Sequence, residues 1–164
     1  MGQASLRAVS LPAMKIPDEK PFVDKVNTRY LETLVGYNAR RAALAVISRF
    51  LEEMAVYDLR PVDFSALSLI THNPGITSRQ LCTTLGIQAP NIVAMVNGFE
   101  KRGLICRHAH PHDGRAFGLV LTEAGKALMG KAEKTASSLE SDVTARLTPE
   151  ERKTMVQALK KIYK

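Results

Sequence analysis

The sequence has few of the residues that mark several common classes of protein. Only two of its 164 residues are cysteine, Cys82 and Cys106, which excludes a disulfide scaffold and suits a reducing compartment. No apolar run approaches the roughly twenty residues that a membrane span requires. Arg7 and Pro12 interrupt the mildly apolar N-terminus, which argues against a signal peptide. We therefore expect a cytoplasmic protein with no membrane partner.

The chain also lacks the motifs of common enzymes. It has no phosphate-binding glycine loop, and its spacing supports no Ser-His-Asp or Cys-His arrangement, so we expect neither catalysis nor a cofactor. What it has in excess is positive charge, because 23 lysines and arginines against 16 acidic residues give a formal net charge of +7. Such an excess favours polyanionic partners, nucleic acid first and an anionic membrane surface second.

A proline-containing start and a long apolar-patterned segment open the chain. Three prolines among the first 21 residues predict a flexible tail over residues 1–22. Residues 23–57 contain no proline, and Leu44, Ile47 and Leu51 recur at helical spacing, so we predict one continuous helix there. About thirty helical residues span about 45 Å, more than a small domain needs. The surplus apolar surface is expected to meet a second subunit.

The middle of the chain, residues 58–122, has the element order of a winged helix-turn-helix. Capping, proline and glycine signals, followed by apolar runs, predict helices and strands in alternation. The helices begin at Pro61, Thr77 and Ala89, and the strands cover residues 104–107 and 117–121. The segment between the strands contains the Asp-Gly pair that favours a hairpin, and we call this hairpin the wing.

Two further helices are predicted over residues 123–164. Thr122 caps the first, and Thr148 with Glu151 forms a capping box for the last. The last helix exposes apolar side chains such as Leu159 unless a partner covers them. The predicted fold is therefore α+β but mostly α, a winged helix-turn-helix flanked by long N- and C-terminal dimerisation helices.

In its order of motifs the chain resembles the MarR family of bacterial regulators over residues 58–128. Six short stretches carry the similarity: Leu59-Arg60-Pro61-Val62-Asp63-Phe64, Asn73-Pro74-Gly75-Ile76-Thr77, Leu85-Gly86-Ile87, Phe99-Glu100-Lys101-Arg102-Gly103-Leu104-Ile105, Asp113-Gly114-Arg115 and Leu121-Thr122-Glu123-Ala124-Gly125. The resemblance implies an obligate homodimer, formed by the first and last helices, that binds a pseudo-palindromic duplex operator. It also implies that Arg115 enters the minor groove while Asp113 orients it.

The helix that begins at Ala89 is expected to place its first turn against base edges in the major groove. Gln88 and Asn91 can each pair bidentately with adenine, which favours an A·T-containing half-site. Relatives often carry basic side chains where this chain has Ala94 and Gly98, so more of the readout is left to Gln88, Asn91 and the wing. The predicted DNA-contacting residues are Thr77, Ser78, Gln88, Pro90, Asn91, Ala94, Arg107, His110, Asp113 and Arg115.

These assignments have plainer alternatives. Asp113 and Arg115 also suit a solvated turn, Gln88 a helix cap and Asn91 a solvent-exposed position. A winged helix that docks on another protein is a second alternative, although a docking wing would be apolar rather than rich in histidine and arginine. A salt titration of DNA binding separates that alternative from a DNA-binding wing.

The wing also contains a row of potential metal ligands. Cys106, His108, His110 and His112 alternate, so they share one face of a strand, and thiolate and imidazole suit zinc. Residues two apart on a strand are separated by about 7 Å, too far for one ion to gather the row without bending. We expect no metal site, with a metal-responsive regulator as the alternative. Cys82 is expected to be a small hydrophobe rather than a redox switch.

Arg40 extends the apolar stripe of the first long helix, and a charge there needs a partner. That partner is either a carboxylate across the subunit interface or an anionic effector, unless the side chain snorkels to solvent. Residues 36–42 are similar to the matching stretch of relatives that regulate aromatic-acid degradation, some of which respond to a coenzyme A thioester. We predict that Tyr37, Arg40 and Arg41 bind an aromatic acid or its thioester, and that this ligand releases a repressor from DNA.

Overall fold

The computed structural model describes residues 23–110 and 113–164, and describes side chains over 23–109 and 117–164. The predicted tail, residues 1–22, lies outside the described residues. The helices are α1 (Arg29–Glu32), α2 (Val35–Met54), a 3-10 turn (Ala55–Tyr57), α3 (Pro61–His72), α4 (Ser78–Leu85), α5 (Ala89–Lys101), α6 (Glu123–Val143) and α7 (Pro149–Tyr163). The strands are β1 (Ile76–Thr77), β2 (Ile105–His110) and β3 (Asp113–Leu121). None of the helices in this part of the chain is long and apolar enough to cross a bilayer.

The described residues fall into two units, residues 23–38 and residues 39–164. The prediction of one continuous helix over residues 23–57 is wrong, because α1 ends before α2 begins and a 3-10 turn follows α2. The side-chain amide of Asn38 donates to the carbonyl oxygens of Glu32 and Leu34, at 2.8 Å each. The bond to Glu32 caps the end of α1. The Leu34 carbonyl also accepts from the backbone N–H of Asn38 at 3.2 Å, so it keeps a helical partner.

The core of residues 39–164 draws side chains from most of the helices and from the sheet. Its largest fully buried members are Met54, Leu67, Ile70, Leu81, Ile92, Val96, Leu119 and Met129. The rings of Phe50 and Phe64 meet edge to face, with centroids 5.6 Å apart, which fixes the end of α2 against α3. The helix-turn-helix and the base of the wing are thus built on one apolar core.

Several predicted helix starts and stops are confirmed. Thr77 and Gln80 form the capping box of α4, and Thr122 accepts a hydrogen bond from the backbone N–H of Gly125 at the start of α6. Gly86 ends α4 with φ of 64°, a left-handed conformation that favours glycine. These local signals position α5, which follows directly.

The sheet is antiparallel with strand order β1-β3-β2. In the wing, Ile105 pairs with Leu121 and Arg107 pairs with Leu119, and both strands are longer than the sequence predicted. The two-residue strand β1 was not predicted. It pairs with β3 through Ile76 and Leu119, which ties the wing to the start of the helix-turn-helix.

Candidate nucleic-acid interface

Helix α5 has one face in the core and the other in solvent. Ile92, Val96 and Phe99 are buried, while Gln88 and Asn91 are exposed. Gln88 lies at the N-cap position, but its side chain makes no capping hydrogen bond. Both amide side chains are therefore placed on the accessible side of α5, at the turn that the sequence assigns to base contacts.

A cleft of about 640 Å³ lies between α5 and the start of α3. Asn91, Ala94 and Gly98 line it from α5, and Arg60 and Asp63 line it from the other side. The small side chains at 94 and 98 leave this groove open, at positions where relatives often carry basic residues. Helix α5 consequently carries no lysine or arginine before Lys101 in its last turn.

Arg60 and Asp63 form a close ion pair at the edge of this cleft. The guanidinium Nε lies 2.7 Å from one carboxylate oxygen and Nη2 lies 3.1 Å from the other, while the Arg60 backbone N–H donates to the same carboxylate at 3.2 Å. The hydrogen bond to Asp63, and then its negative charge, raise the pKa of Arg60 above its ordinary value. The pair caps α3 and leaves the cleft without a free cation at this point.

Thr77 and Ser78 lie at the start of α4 and are half-buried. The Thr77 hydroxyl is occupied by the cap, since it donates to the side-chain oxygen of Gln80 at 3.0 Å and accepts from the Gln80 backbone N–H at 3.3 Å. Pro90 is exposed in the first turn of α5. Pro90 thus lies in the same first turn as Asn91, two residues after Gln88.

Two arginines of the DNA-binding lobe are directed at protein acceptors. Arg107 donates to the side-chain oxygen of Asn97 and lies 3.3 Å from the carboxylate of Glu100. Arg102 donates to the backbone carbonyls of Asp58 and Tyr57, at 2.9 and 3.0 Å. The sequence predicted these positive charges but not their partners. The i, i+3 spacing of Asn97 and Glu100 was the available signal, because it places both on one face of α5.

Several residues that were predicted to contact DNA or to suit a metal lie near the tip of the wing, where side chains are not described. His110, His112, Asp113 and Arg115 lie outside the described side chains. At the base of the wing, the Cys106 Sγ lies 3.5 Å from the His108 Nε2 on β2. Among the described residues, no group of three or more histidine, cysteine, aspartate or glutamate side chains comes together as a metal site.

The candidate effector residues lie on α2. Arg40 and Arg41 are exposed, Tyr37 is half-buried, and within the described residues neither arginine forms an ion pair. The apolar stripe that Arg40 extends was expected to be buried by helix packing. In a single chain it is not, since Leu44 and Leu51 are each 49% exposed. The stripe is therefore available to a partner subunit.

Comparison with known proteins shows which family this architecture belongs to. A model of the MarR family matches residues 57–116, which hold the helix-turn-helix and most of the wing. The transcriptional repressor CouR, solved on a 23-mer DNA duplex, is 36% identical, with 85% of this chain and 99% of that chain covered and a TM-score of 0.80. The chain belongs to the MarR family. It is accordingly a transcriptional regulator, and the predicted winged helix-turn-helix is confirmed.

Other MarR-family relatives extend the comparison. CouR bound to p-coumaroyl-CoA is 36% identical, with 84% of this chain and 97% of that chain covered and a TM-score of 0.74. A protein of Thauera aromatica that is named for regulation of the hcr operon is 29% identical over 131 residues, 79% of each chain. MarR of E. coli in its apo form, 22% identical with 80% and 98% coverage and a TM-score of 0.68, shares the fold.

Proposed function

We propose that this protein is a repressor that binds a pseudo-palindromic operator as a homodimer and is released by an aromatic coenzyme A thioester. The observation that carries the proposal is the 36% identity to CouR over more than four fifths of the chain. CouR has been solved both on duplex DNA and with p-coumaroyl-CoA. A regulator of this kind works in the cytoplasm, where its DNA and its effector are found.

DNA binding is assigned to α5 and the wing. The exposed amides of Gln88 and Asn91 are available for bidentate contacts to adenine in the major groove. Arg115 would enter the adjacent minor groove, where an arginine adds electrostatic attraction. Since α5 carries no lysine or arginine before Lys101, base contacts are left to the amides of its first turn and to the wing.

Dimerisation is assigned to residues 23–57 and 123–164, on either side of the lobe. Exposed apolar side chains mark both segments: Leu44, Ile47 and Leu51 on α2, and Met155, Val156, Leu159 and Ile162 on α7. Surface of this kind is costly to leave in water and is typical of an interface between subunits. A twofold axis through the dimer would match the symmetry of a pseudo-palindromic operator.

Effector binding is assigned to Tyr37, Arg40 and Arg41, on their helical spacing and on the aromatic, anionic chemistry of a CoA thioester. Guanidinium groups form charge-assisted hydrogen bonds to phosphate or carboxylate, and a tyrosine ring can stack on an aromatic acyl group. The effector would lower operator affinity by the difference between its binding free energies to the free and DNA-bound dimer.

The test is a titration of the purified full-length protein on duplexes from its own upstream region. Fluorescence anisotropy should show operator binding that weakens steeply with salt, because each neutralised phosphate adds about −0.9 to the log–log slope. Adding p-coumaroyl-CoA should release the DNA, whereas p-coumarate or coenzyme A alone should not at the same concentration. Operator binding that no aromatic acyl-CoA relieves would refute the effector assignment and leave the DNA assignment standing.

A further inference from the structure

We infer that Arg107 is a positioning residue that fixes the wing against the second half of α5, and not a phosphate contact. The inference rests on the proposed DNA-binding function and assigns Arg107 a role that its charge does not suggest. Arg107 lies on β2, where it shares a strand face with the buried Ile105. From that face its side chain reaches α5.

The acceptors that Arg107 meets belong to the other element. Its Nη2 donates to the amide oxygen of Asn97 and lies 3.3 Å from a carboxylate oxygen of Glu100. Asn97 and Glu100 are three residues apart on α5, so a single guanidinium spans both. The Arg107 side chain is 35% exposed and that of Glu100 44%, so the pair is partly shielded from water. Contacts from one strand to two turns of a helix fix the angle between them.

The chemistry of the contact separates arginine from lysine. Both contacts are made by Nη2, which lies at the end of a rigid planar group, whereas a lysine ammonium is a point charge on a flexible stem and would be held less firmly between the two acceptors. Either side chain binds a phosphate well. Moreover, a guanidinium paired with Glu100 forms a nearly neutral unit, which adds little attraction for a polyanion.

The consequence for DNA binding is geometric. A winged helix-turn-helix holds DNA at two places, through the first turn of α5 and through the wing tip. If the angle between them is fixed before binding, less conformational freedom is lost in the complex. The Arg107 contacts would therefore raise operator affinity without touching the DNA.

Operator affinity at several salt concentrations tests this inference. Arg107→Lys keeps the charge but not the two-acceptor contact, so we expect it to weaken binding about tenfold, close to the loss in Arg107→Ala, equivalent to about 1.4 kcal/mol. We expect the salt slope to stay that of the parent in both variants. Glu100→Gln should also weaken binding, because Arg107 then loses its charged acceptor on α5.

A phosphate contact would give the opposite results. Arg107→Lys would then bind almost as well as the parent, Arg107→Ala would flatten the slope by about 0.9, and Glu100→Gln would tighten binding by freeing the guanidinium. That set of results overturns the inference. The matched control is Arg79→Ala, which removes the same charge from the exposed surface of α4, where no ion pair is formed within the described residues.

A second measurement does not depend on DNA. Hydrogen exchange of backbone amides in residues 105–109 and 95–101 should speed up in Arg107→Ala and Arg107→Lys but not in Arg79→Ala. If the parent binds no upstream duplex, the proposed function fails. The hydrogen-exchange measurement alone then tests whether Arg107 holds the wing to α5. Unchanged exchange in both Arg107 variants would show that Arg107 does not hold the wing to α5.

Discussion

Glu151 shows how one side chain determines where a helix begins. Its carboxylate accepts hydrogen bonds from the backbone N–H of Thr148 at 2.8 Å and from the Thr148 hydroxyl at 2.9 Å. In return the Thr148 hydroxyl accepts from the Glu151 N–H at 3.3 Å. The backbone hydrogen bond first, and then the hydroxyl, lower the pKa of Glu151 below its ordinary value. The ionised carboxylate of Glu151 is therefore the form that caps α7.

This cap predicts a pH dependence of stability. Because the folded-state pKa of Glu151 is depressed, its contribution is fully present above the unfolded pKa of about 4.3 and is lost as pH falls through the folded value. Glu151→Gln keeps an amide oxygen for the Thr148 N–H, so at neutral pH it should lower the melting temperature less than Glu151→Ala. Thermal melts between pH 7 and pH 3 check this.

The difference between the parent and Glu151→Gln should shrink on acidification, since the parent then carries a neutral carboxyl group. Thr148→Ala is a second control, because it removes the hydroxyl but keeps the backbone donor. A parent–Gln difference that is constant over the whole pH range would show that ionisation of Glu151 does not matter for the cap.

Residue identity predicted charges better than it predicted their partners. The helix caps at Thr77, Thr122 and Thr148 follow from local spacing and are confirmed. Arg107 was predicted to contact DNA, and in the structure its guanidinium group donates to an acceptor of the protein, as does that of Arg102. Such partners are distant in sequence or on another element, so spacing along the chain carries only part of the signal.

Whole helices were predictable where glycine or proline lies at their ends. Glycine and proline mark the ends of α3, α4 and α5, and these helices lie where the sequence placed them. The gap between α1 and α2 was missed, because Gly36 alone is a weak signal and the hydrogen bond from the Asn38 side chain to Glu32 is not visible in the spacing. Strand β1 was missed because two residues carry no periodicity, and its pairing with β3 is a tertiary contact.

Two glycines of α6 allow a matched test of packing. A Cβ added at Gly125 would lie 2.0 Å from the carbonyl oxygen of Leu104, whereas a Cβ at Gly130 meets nothing within 4 Å. Gly125→Ala must therefore push α6 off the base of the wing. We expect it to destabilise the protein by about 3 kcal/mol, the upper end of the usual range for overpacking, because a clash with backbone cannot be relieved by a rotamer change.

Gly130→Ala is the control in the same helix. It should be neutral or stabilising by up to about 1 kcal/mol, since alanine has the higher helix propensity and the site is exposed. Urea denaturation of the two variants and the parent measures both effects. Equal stabilities for Gly125→Ala and Gly130→Ala would mean that α6 does not approach Leu104 this closely.

At the scale of the whole molecule, a single copy of the chain leaves apolar surface uncovered. Met155, Val156 and Leu159 on α7 are each about 40% exposed, and Ile162 is 68% exposed. The buried Nε of Arg152, on the same helix, has no hydrogen-bond partner among the described residues. The exposed apolar side chains would be covered by a second subunit on α7, as in the dimers of the MarR family, whereas the Arg152 Nε is already inaccessible in the single chain.

Leu159→Glu should therefore disrupt the dimer. Twofold symmetry brings the substitution into the interface twice, and each copy loses about 1 kcal/mol of apolar burial there, since Leu159 is 41% exposed in the single chain, besides gaining an unpaired charge. Light scattering at micromolar concentration should show monomers or unfolded aggregates. Gln157→Glu adds the same charge on another side of α7 and should remain dimeric. A dimeric, fully folded Leu159→Glu would exclude α7 from the interface.

The last prediction separates two roles for Arg40, and it joins the dimer to the regulation. Arg40 continues the exposed stripe of Leu44 and Leu51, so a partner subunit that covers the stripe would bring the guanidinium out of bulk water. Its charge then needs either a carboxylate across the interface or the anionic part of an effector.

A role in binding effector predicts that Arg40→Ala keeps operator affinity but needs at least about tenfold more p-coumaroyl-CoA for release, as expected for a lost charge-assisted hydrogen bond. Arg49→Ala, which removes a charge from the same helix, should release at the parent concentration. If Arg40→Ala instead fails to dimerise, the residue is structural, and release at the parent concentration from an intact dimer would exclude Arg40 from the effector site.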